Sequence, residues 1–349
     1  MNARRRQNSM WIALAAIMAL TLSGRAQTPG GDSVIRLDPA LDTIVAAGAK
    51  VEPLKVDYFG LVGKPVWIQE GQNGYLLVGD SAANVVYKWT TDNTLSPFLD
   101  RSGYSGKEVA TIGAVVNNDR LNVFHVGPTG LALDRQGRLI VAATGDRTLV
   151  RVEKDGTRTI LADRFDGKRL NSPIESVVKS NGAIYFTDGT AGLRNRDNDA
   201  TKELPFEGVY LVKDGKVQLL DKELYGINPG GIALSPDEKV LYVAGSRKVL
   251  RYDVRADDTI ANGRVFVDMT APQAGMPSLP RVGVKTDQKG NLYCSGPGGV
   301  WILSPGGKHL GTIRTPEAAG SHAFGDADGR TLYIATRRSL YRVRVNIPG

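Results

Sequence analysis

One pattern recurs along the chain and restricts its fold more than any other feature: a short apolar strand, a turn holding Asp and Gly, a second strand, then a third. GLALDRQGRLIVAATGDRTLVRVEKDGT from Gly130 aligns with GIALSPDEKVLYVAGSRKVLRYDV from Gly231. GVKTDQKGNLYCSGPGGVWILSPGG from Gly283 and HAFGDADGRTLYIATRRSLYRV from His322 follow the same plan. PVWIQEGQNGYLLVGDSAANVVYKWTTDN from Pro65 and SVVKSNGAIYFTDGTAGL from Ser176 are looser copies, the second interrupted before GVYLVKDGK at Gly208. Each copy alternates apolar and polar residues over four to six positions, with turns such as Asp155-Gly156 and Gly306-Gly307 between strands.

Six units of three or four strands, none able to bury both faces alone, predict an all-β six-bladed β-propeller over residues 51–349. A sandwich or open barrel does not account for a repeating unit of this size. Val51 to Gly60 is predicted to supply the outer strand of the last blade, which removes a free sheet edge. Residues 27–50 read as a surface leader.

The first 26 residues read differently. Arg4, Arg5 and Arg6 precede an apolar run from Met10 to Leu22, and Gly24-Arg25-Ala26 supplies small residues at a cleavage point, the form of a secretory signal peptide. The run is too short for a membrane span, so a periplasmic or secreted chain is expected, with the export route left open. Removing these residues deletes four arginines and no acid, which takes the formal charge from +8 to +4. The basic residues are scattered and not interleaved with aromatics, so no nucleic-acid partner is expected. The single cysteine, Cys294, forms no internal disulfide and reads as a small buried residue.

In such a ring the residue just before each innermost strand points to the axis at one mouth, and sites are grafted there. The blade sequences ILADRFDGKRLNSP (Ile160–Pro173), IYFTDGTAGL, GVYLVKDGK, GIALSPDEKVLYVAG, NGRVFVDM and GNLYCSGPGGVWILSPGGKHLGTIRTPE make the chain similar to the SMP-30/gluconolactonase family, over nearly all of the sequence beyond the leader. The resemblance implies lactone hydrolysis assisted by one divalent cation, usually calcium or zinc, held at the mouth by an acid in E-G-P-V-W, an asparagine in P-N-G and an aspartate in P-D-G. Here E-G-P-V-W reads Gly63-Lys64-Pro65-Val66-Trp67, P-N-G reads Pro229-Gly230-Gly231, and P-D-G reads Arg281-Val282-Gly283. Two further family motifs, S-N-G-L and S-P-N-D, place Thr129 and Ile174 at the mouth, and Ser321 takes the last position. No cofactor is therefore expected, because none of the family's metal ligands is retained.

One step along from these positions stand Lys64, Glu175 and His322, parts suited to metal-free acid/base work over an apolar floor of Ile174 and Val282. Thr129, Asn171, Asn228, Arg281 and His125 fall on connections into the mouth and are candidate contacts for a small-molecule substrate or ligand. An insertion from Lys107 to Asn122, just before His125, is placed to arch over the channel. The three histidines are too far apart in sequence to make a metal motif, and His309 is expected on the surface of a blade hairpin. No phosphate-cradling glycine loop and no G-x-S-x-G elbow is present. The expected function is an exported, gluconolactonase-like hydrolase acting on a small polar lactone or ester through a remodelled site. The alternatives are a non-catalytic ligand- or partner-binding propeller and metal-free lyase or condensing chemistry on the same scaffold. Oligomeric state is left open.

Overall fold

The computed structural model describes residues 33–270 and 283–349. The signal-peptide reading, Arg281 and Val282 lie outside the described residues. Six small antiparallel sheets form a ring, as the repeats predict. Their innermost strands are Val66–Glu70, Pro128–Leu133, Pro173–Val178, Gly231–Leu234, Val284–Thr286 and Ser321–Gly325. These pack neighbour to neighbour around a central channel.

Six clusters of buried apolar side chains hold the ring, each at one interface between adjacent blades. Tyr75, Leu77 and Val86 of the first blade meet Leu131, Leu139 and Val141 of the second. The ring closes where Leu76, Val78 and Trp89 of the first blade meet Tyr333, Ala335 and Leu340 of the sixth. There Trp67 also stacks on Tyr333, with ring centroids 5.5 Å apart. Each large apolar side chain buried in this way contributes about 1.5–3 kcal/mol before the entropy of ordering it is subtracted.

The second strand of each blade does not alternate. Leu139–Ala143 and Val240–Gly245 are buried at every position. Both faces of such a strand are covered by neighbouring blades, so its sequence reads as a continuous apolar run. Turns repeat a second device, in which an Asp side chain accepts backbone N–H groups beyond it. Asp155 takes the Thr157 N–H and hydroxyl, followed by Gly156 at φ 83°.

Glu52–Lys55 pairs with Leu340–Arg344 as the outer strand of the last blade. The stretch expected as a surface leader is in part structural. Val34–Arg36 adds a fifth strand to the blade of residues 284–314, and Leu41, Ile44 and Val45 are buried in the cluster joining the fifth and sixth blades. Among the described residues no helix is long and apolar enough to cross a membrane. Cys294 is wholly buried, and burial pushes its thiol up to about 12, which removes it as a nucleophile near neutrality.

Candidate active site

The backbone leading into the first blade fixes the mouth. Gly63 donates to the Gly79 carbonyl at 2.7 Å, and Lys64 donates to the Thr129 carbonyl at 2.7 Å. A Cβ at Gly63 would lie 2.8 Å from the Pro128 carbonyl oxygen and 2.9 Å from that of Thr129, so no side chain fits there. The side chain of the next residue enters the channel instead. Lys64 Nζ reaches from the first blade to Glu175 Oε2 of the third at 2.6 Å and to the Gly230 carbonyl at 2.7 Å.

Glu175 also receives Lys285 Nζ of the fifth blade on Oε1 at 2.8 Å and the Ile232 N–H of the fourth on Oε2 at 2.9 Å. Four blades thus converge on one carboxylate, and both Lys64 and Glu175 are buried. Burial alone would raise the carboxyl of Glu175. The charges and hydrogen bonds of Lys285 and Lys64 outweigh that, and hold it below its ordinary value. Such a pair is stable in the interior only because the carboxylate's oxygens are bonded on several sides.

His322 is buried beside this group. Its Nε2 lies 3.0 Å from the Tyr293 carbonyl, which can only accept, so Nε2 carries the hydrogen, and Nδ1 is a buried lone pair without a hydrogen-bond partner. Burial first, and the positive charge of Lys285 second, push its pKa down to about 3, so the ring is neutral at physiological pH.

Above the ion pair opens a cavity of about 420 Å³. It brings together Lys64, His125, Thr129, Ile174 and Asn228 of the residues singled out in the sequence. Glu175 and His322 are not in its wall. Asn171 is buried away from it, its side-chain amide donating to the Phe206 carbonyl at 2.8 Å. The insertion does reach the mouth: Val115–Asn117 and Asn122–Phe124 pair as a hairpin, and Val116 lines the cavity. His309 is half-buried and stacked on Trp301 at 3.8 Å between ring centroids, a correction to its expected surface position.

His125 is set by a chain of hydroxyls. Thr144 Oγ1 lies 3.0 Å from the Pro173 carbonyl and must donate to a carbonyl. Thr129 Oγ1, 2.6 Å from Thr144 Oγ1, therefore donates to it, and His125 Nε2, 2.9 Å from Thr129 Oγ1, donates in turn. Each proton position follows from the carbonyl at the end.

Three kinds of charged side chain in or beside the cavity were not singled out in the sequence. Glu207 stands just before the third strand of its blade, Gly208–Lys213, and is half-buried. Its Oε1 accepts from Thr190 Oγ1 at 3.2 Å and its Oε2 from Asn228 Nδ2 at 3.1 Å. Asn228 Oδ1 accepts from Ser246 Oγ at 3.1 Å, which turns its amide nitrogen to Glu207. Burial, and then the charge of Asp197, raise the Glu207 carboxyl above its ordinary value. Lys285 lies within an innermost strand, beyond the entry positions that the repeats align. Arg196 and Arg337 line the cavity from loops of the third and sixth blades. Antiparallel pairing returns the start of every third strand to the mouth, so a lone acid before that strand was the available signal for Glu207.

The residues at the mouth do not fit a divalent cation. Gly63 and Gly230 offer no side chain, Ile174 is apolar, and the Thr129 hydroxyl is committed to the chain just described. Both oxygens of Glu175 hold ammonium groups. Among the described residues no group of three His, Cys, Asp or Glu is placed to hold a metal ion.

Comparison with known proteins agrees with this architecture. The model of the SMP-30/Gluconolactonase/LRE-like region matches residues 64–338. A gluconolactonase of Zymomonas mobilis is 31% identical over 98% of this chain and 96% of its own. A solved gluconolactonase of Xanthomonas campestris superposes with a TM-score of 0.73 at 27% identity, covering 90% of this chain and 96% of that one. Regucalcin of Agrobacterium tumefaciens, a calcium-binding protein, shares the fold at a TM-score of 0.63 and 16% identity, over 86% of this chain and 95% of that one.

Proposed function

The chain belongs to the SMP-30/gluconolactonase/LRE-like family, and on that premise we propose that it is a lactonase-type hydrolase whose cavity opens a small polar lactone, or cleaves a related ester, without a divalent cation. The observation that carries this reading is the Lys64 ammonium, held at the cavity floor by Glu175 and the Gly230 carbonyl, in the same cavity as the Glu207 carboxylate. A fixed positive charge at a floor sheltered from water stabilises negative charge developing on a carbonyl oxygen, and its orientation needs no reorganisation during reaction.

In this mechanism the lactone carbonyl oxygen points at Lys64 Nζ. Glu207 takes a proton from water as the water oxygen bonds to the carbonyl carbon. The tetrahedral oxyanion collapses, the ring C–O bond breaks, and the leaving ring oxygen takes the proton back from Glu207. The product is the open hydroxy acid, and one water is consumed. Glu175 acts through Lys64 as a positioning residue, because its oxygen fixes where the ammonium sits. His322, neutral behind the pair, keeps a third positive charge out of the channel. His125 and Asn228 orient the polar groups of the substrate and of Glu207. We place this activity in the periplasm or outside the cell, on the signal-peptide form of residues 1–26.

Turnover of aldonolactones and aryl esters, with and without EDTA, tests the reading. We expect turnover that EDTA leaves intact and that falls about 10²–10⁴-fold in Glu207→Gln. Loss with EDTA and recovery with calcium or zinc would overturn the metal-independent mechanism. Binding without turnover of any lactone or ester would instead make the protein a ligand-binding propeller.

A further inference from the structure

The cavity wall is unevenly charged. Among the described residues, the lining side chains with a formal charge are Lys64, Arg196 and Arg337, which are positive, and Glu207, which is negative. The three cations come from distant parts of the chain: the entry to the first blade, the insertion in the third, and the turn between Thr331–Ala335 and Leu340–Arg344 in the sixth. The two guanidinium charges are incompletely answered. Arg337 Nη1 bonds the Asn117 carbonyl and Asp119 Oδ1 at 2.8 Å each, but the Asp119 side chain is 59% exposed, where solvent screens it. Arg196 is exposed at the outer wall. The cations are also layered in depth, with Lys64 buried at the floor and the two guanidinium groups nearer solvent.

Resting on the hydrolase reading above, we propose that the substrate is a small polyhydroxylated lactone carrying an anionic group of its own, a carboxylate or a phosphate. The reacting carbonyl lies at Lys64, and the anionic group lies outward against Arg196 and Arg337. A guanidinium suits either anion, because its forked N–H groups match the paired oxygens of both. A cavity wall with an excess of one sign of charge also raises the local concentration of an oppositely charged ligand, and that effect falls with salt.

The test compares kcat/KM of the full chain on a neutral aldonolactone, on an aldaric monolactone bearing a free carboxylate, and on a phosphorylated aldonolactone. We expect one charged substrate to be preferred at least tenfold, mainly through KM, and whichever is preferred names the anion. The preference should shrink at high ionic strength, and it should fall severalfold in Arg196→Gln and again in Arg196→Gln/Arg337→Gln. Equal kcat/KM for neutral and charged lactones, or a preference unmoved in the double variant, overturns the proposal while leaving the hydrolase reading intact. If no lactone is turned over, that reading fails on its own, and calorimetric titration with an open-chain aldarate and with a sugar phosphate decides the anion site. Binding that weakens with salt and in the double variant sustains it, and no binding of either overturns it.

Discussion

Glu175 and Glu207 stand on the same blade, both at the mouth of the channel, and burial presses on both, yet they are driven in opposite directions. Glu175 has two ammonium groups and a backbone N–H on its oxygens and is held ionised below its ordinary range. Glu207 has only a hydroxyl and a carboxamide, and its carboxyl is raised. Cations within hydrogen-bonding reach separate the two cases. One carboxylate is a counter-ion built into the ring, and the other sits at the cavity wall with a pKa moved toward working pH, the pattern that divides structural from proton-handling acids.

Substitution should break this comparison most sharply at Glu175. Glu175→Gln leaves two ammonium groups facing a neutral amide in the interior, and we expect it to lower unfolding free energy by about 3–5 kcal/mol, measured by urea denaturation. Glu207→Gln should change stability by no more than about 1 kcal/mol, since an amide oxygen can still accept from Thr190 or Asn228. Equal destabilisation by the two would show that Glu207 is also a structural counter-ion. Lys64→Met separates position from charge. Lys285 still pairs Glu175, so the loss of stability should be smaller than for Glu175→Gln, while kcat falls about 10²–10³-fold through loss of the donor to the oxyanion.

pH sharpens the same contrast. The folded pKa of Glu175 lies below the unfolded value near 4.5, so its stabilisation is complete above that value and is lost as pH falls through the folded one. Glu207 has the opposite sign: its base form appears only as pH rises through a folded value above 4.5. The acid limb of kcat/KM should therefore sit above that of an ordinary glutamate and disappear in Glu207→Gln. At His322 the effect is confined to acid pH. It is held neutral down to about 3 in the fold but titrates near 6.5 when unfolded, so stability drains as pH falls between those values. His322→Gln, which can still donate to the Tyr293 carbonyl, should flatten acid unfolding over that window.

Much of the ring was legible because it is written locally. Strand periodicity, Asp and Gly turns and six similar copies each depend on residues a few positions apart. The entry positions were legible for the same reason, and they led to Lys64, His125, Thr129, Ile174 and Asn228, which the cavity does bring together. Val34–Arg36 escaped because three residues carry no period, and their burial depends on the free edge of His309–Arg314. Glu207 and Arg196 escaped because they lie in or just after an insertion that has no counterpart in the other copies.

From the sequence came the six-bladed architecture and, through its resemblance to the family, the expectation that Gly63, Thr129, Ile174 and Gly230 stand where that family carries acids and carboxamides. Which charges then meet was decided only by ring closure. Lys64, Glu175 and Lys285 lie more than a hundred residues apart in sequence for each pair with Glu175, and they touch because alternate blades face one another across a channel. A side chain's pKa depends on what stands within a few ångströms of it, and in a propeller those neighbours belong to other repeats.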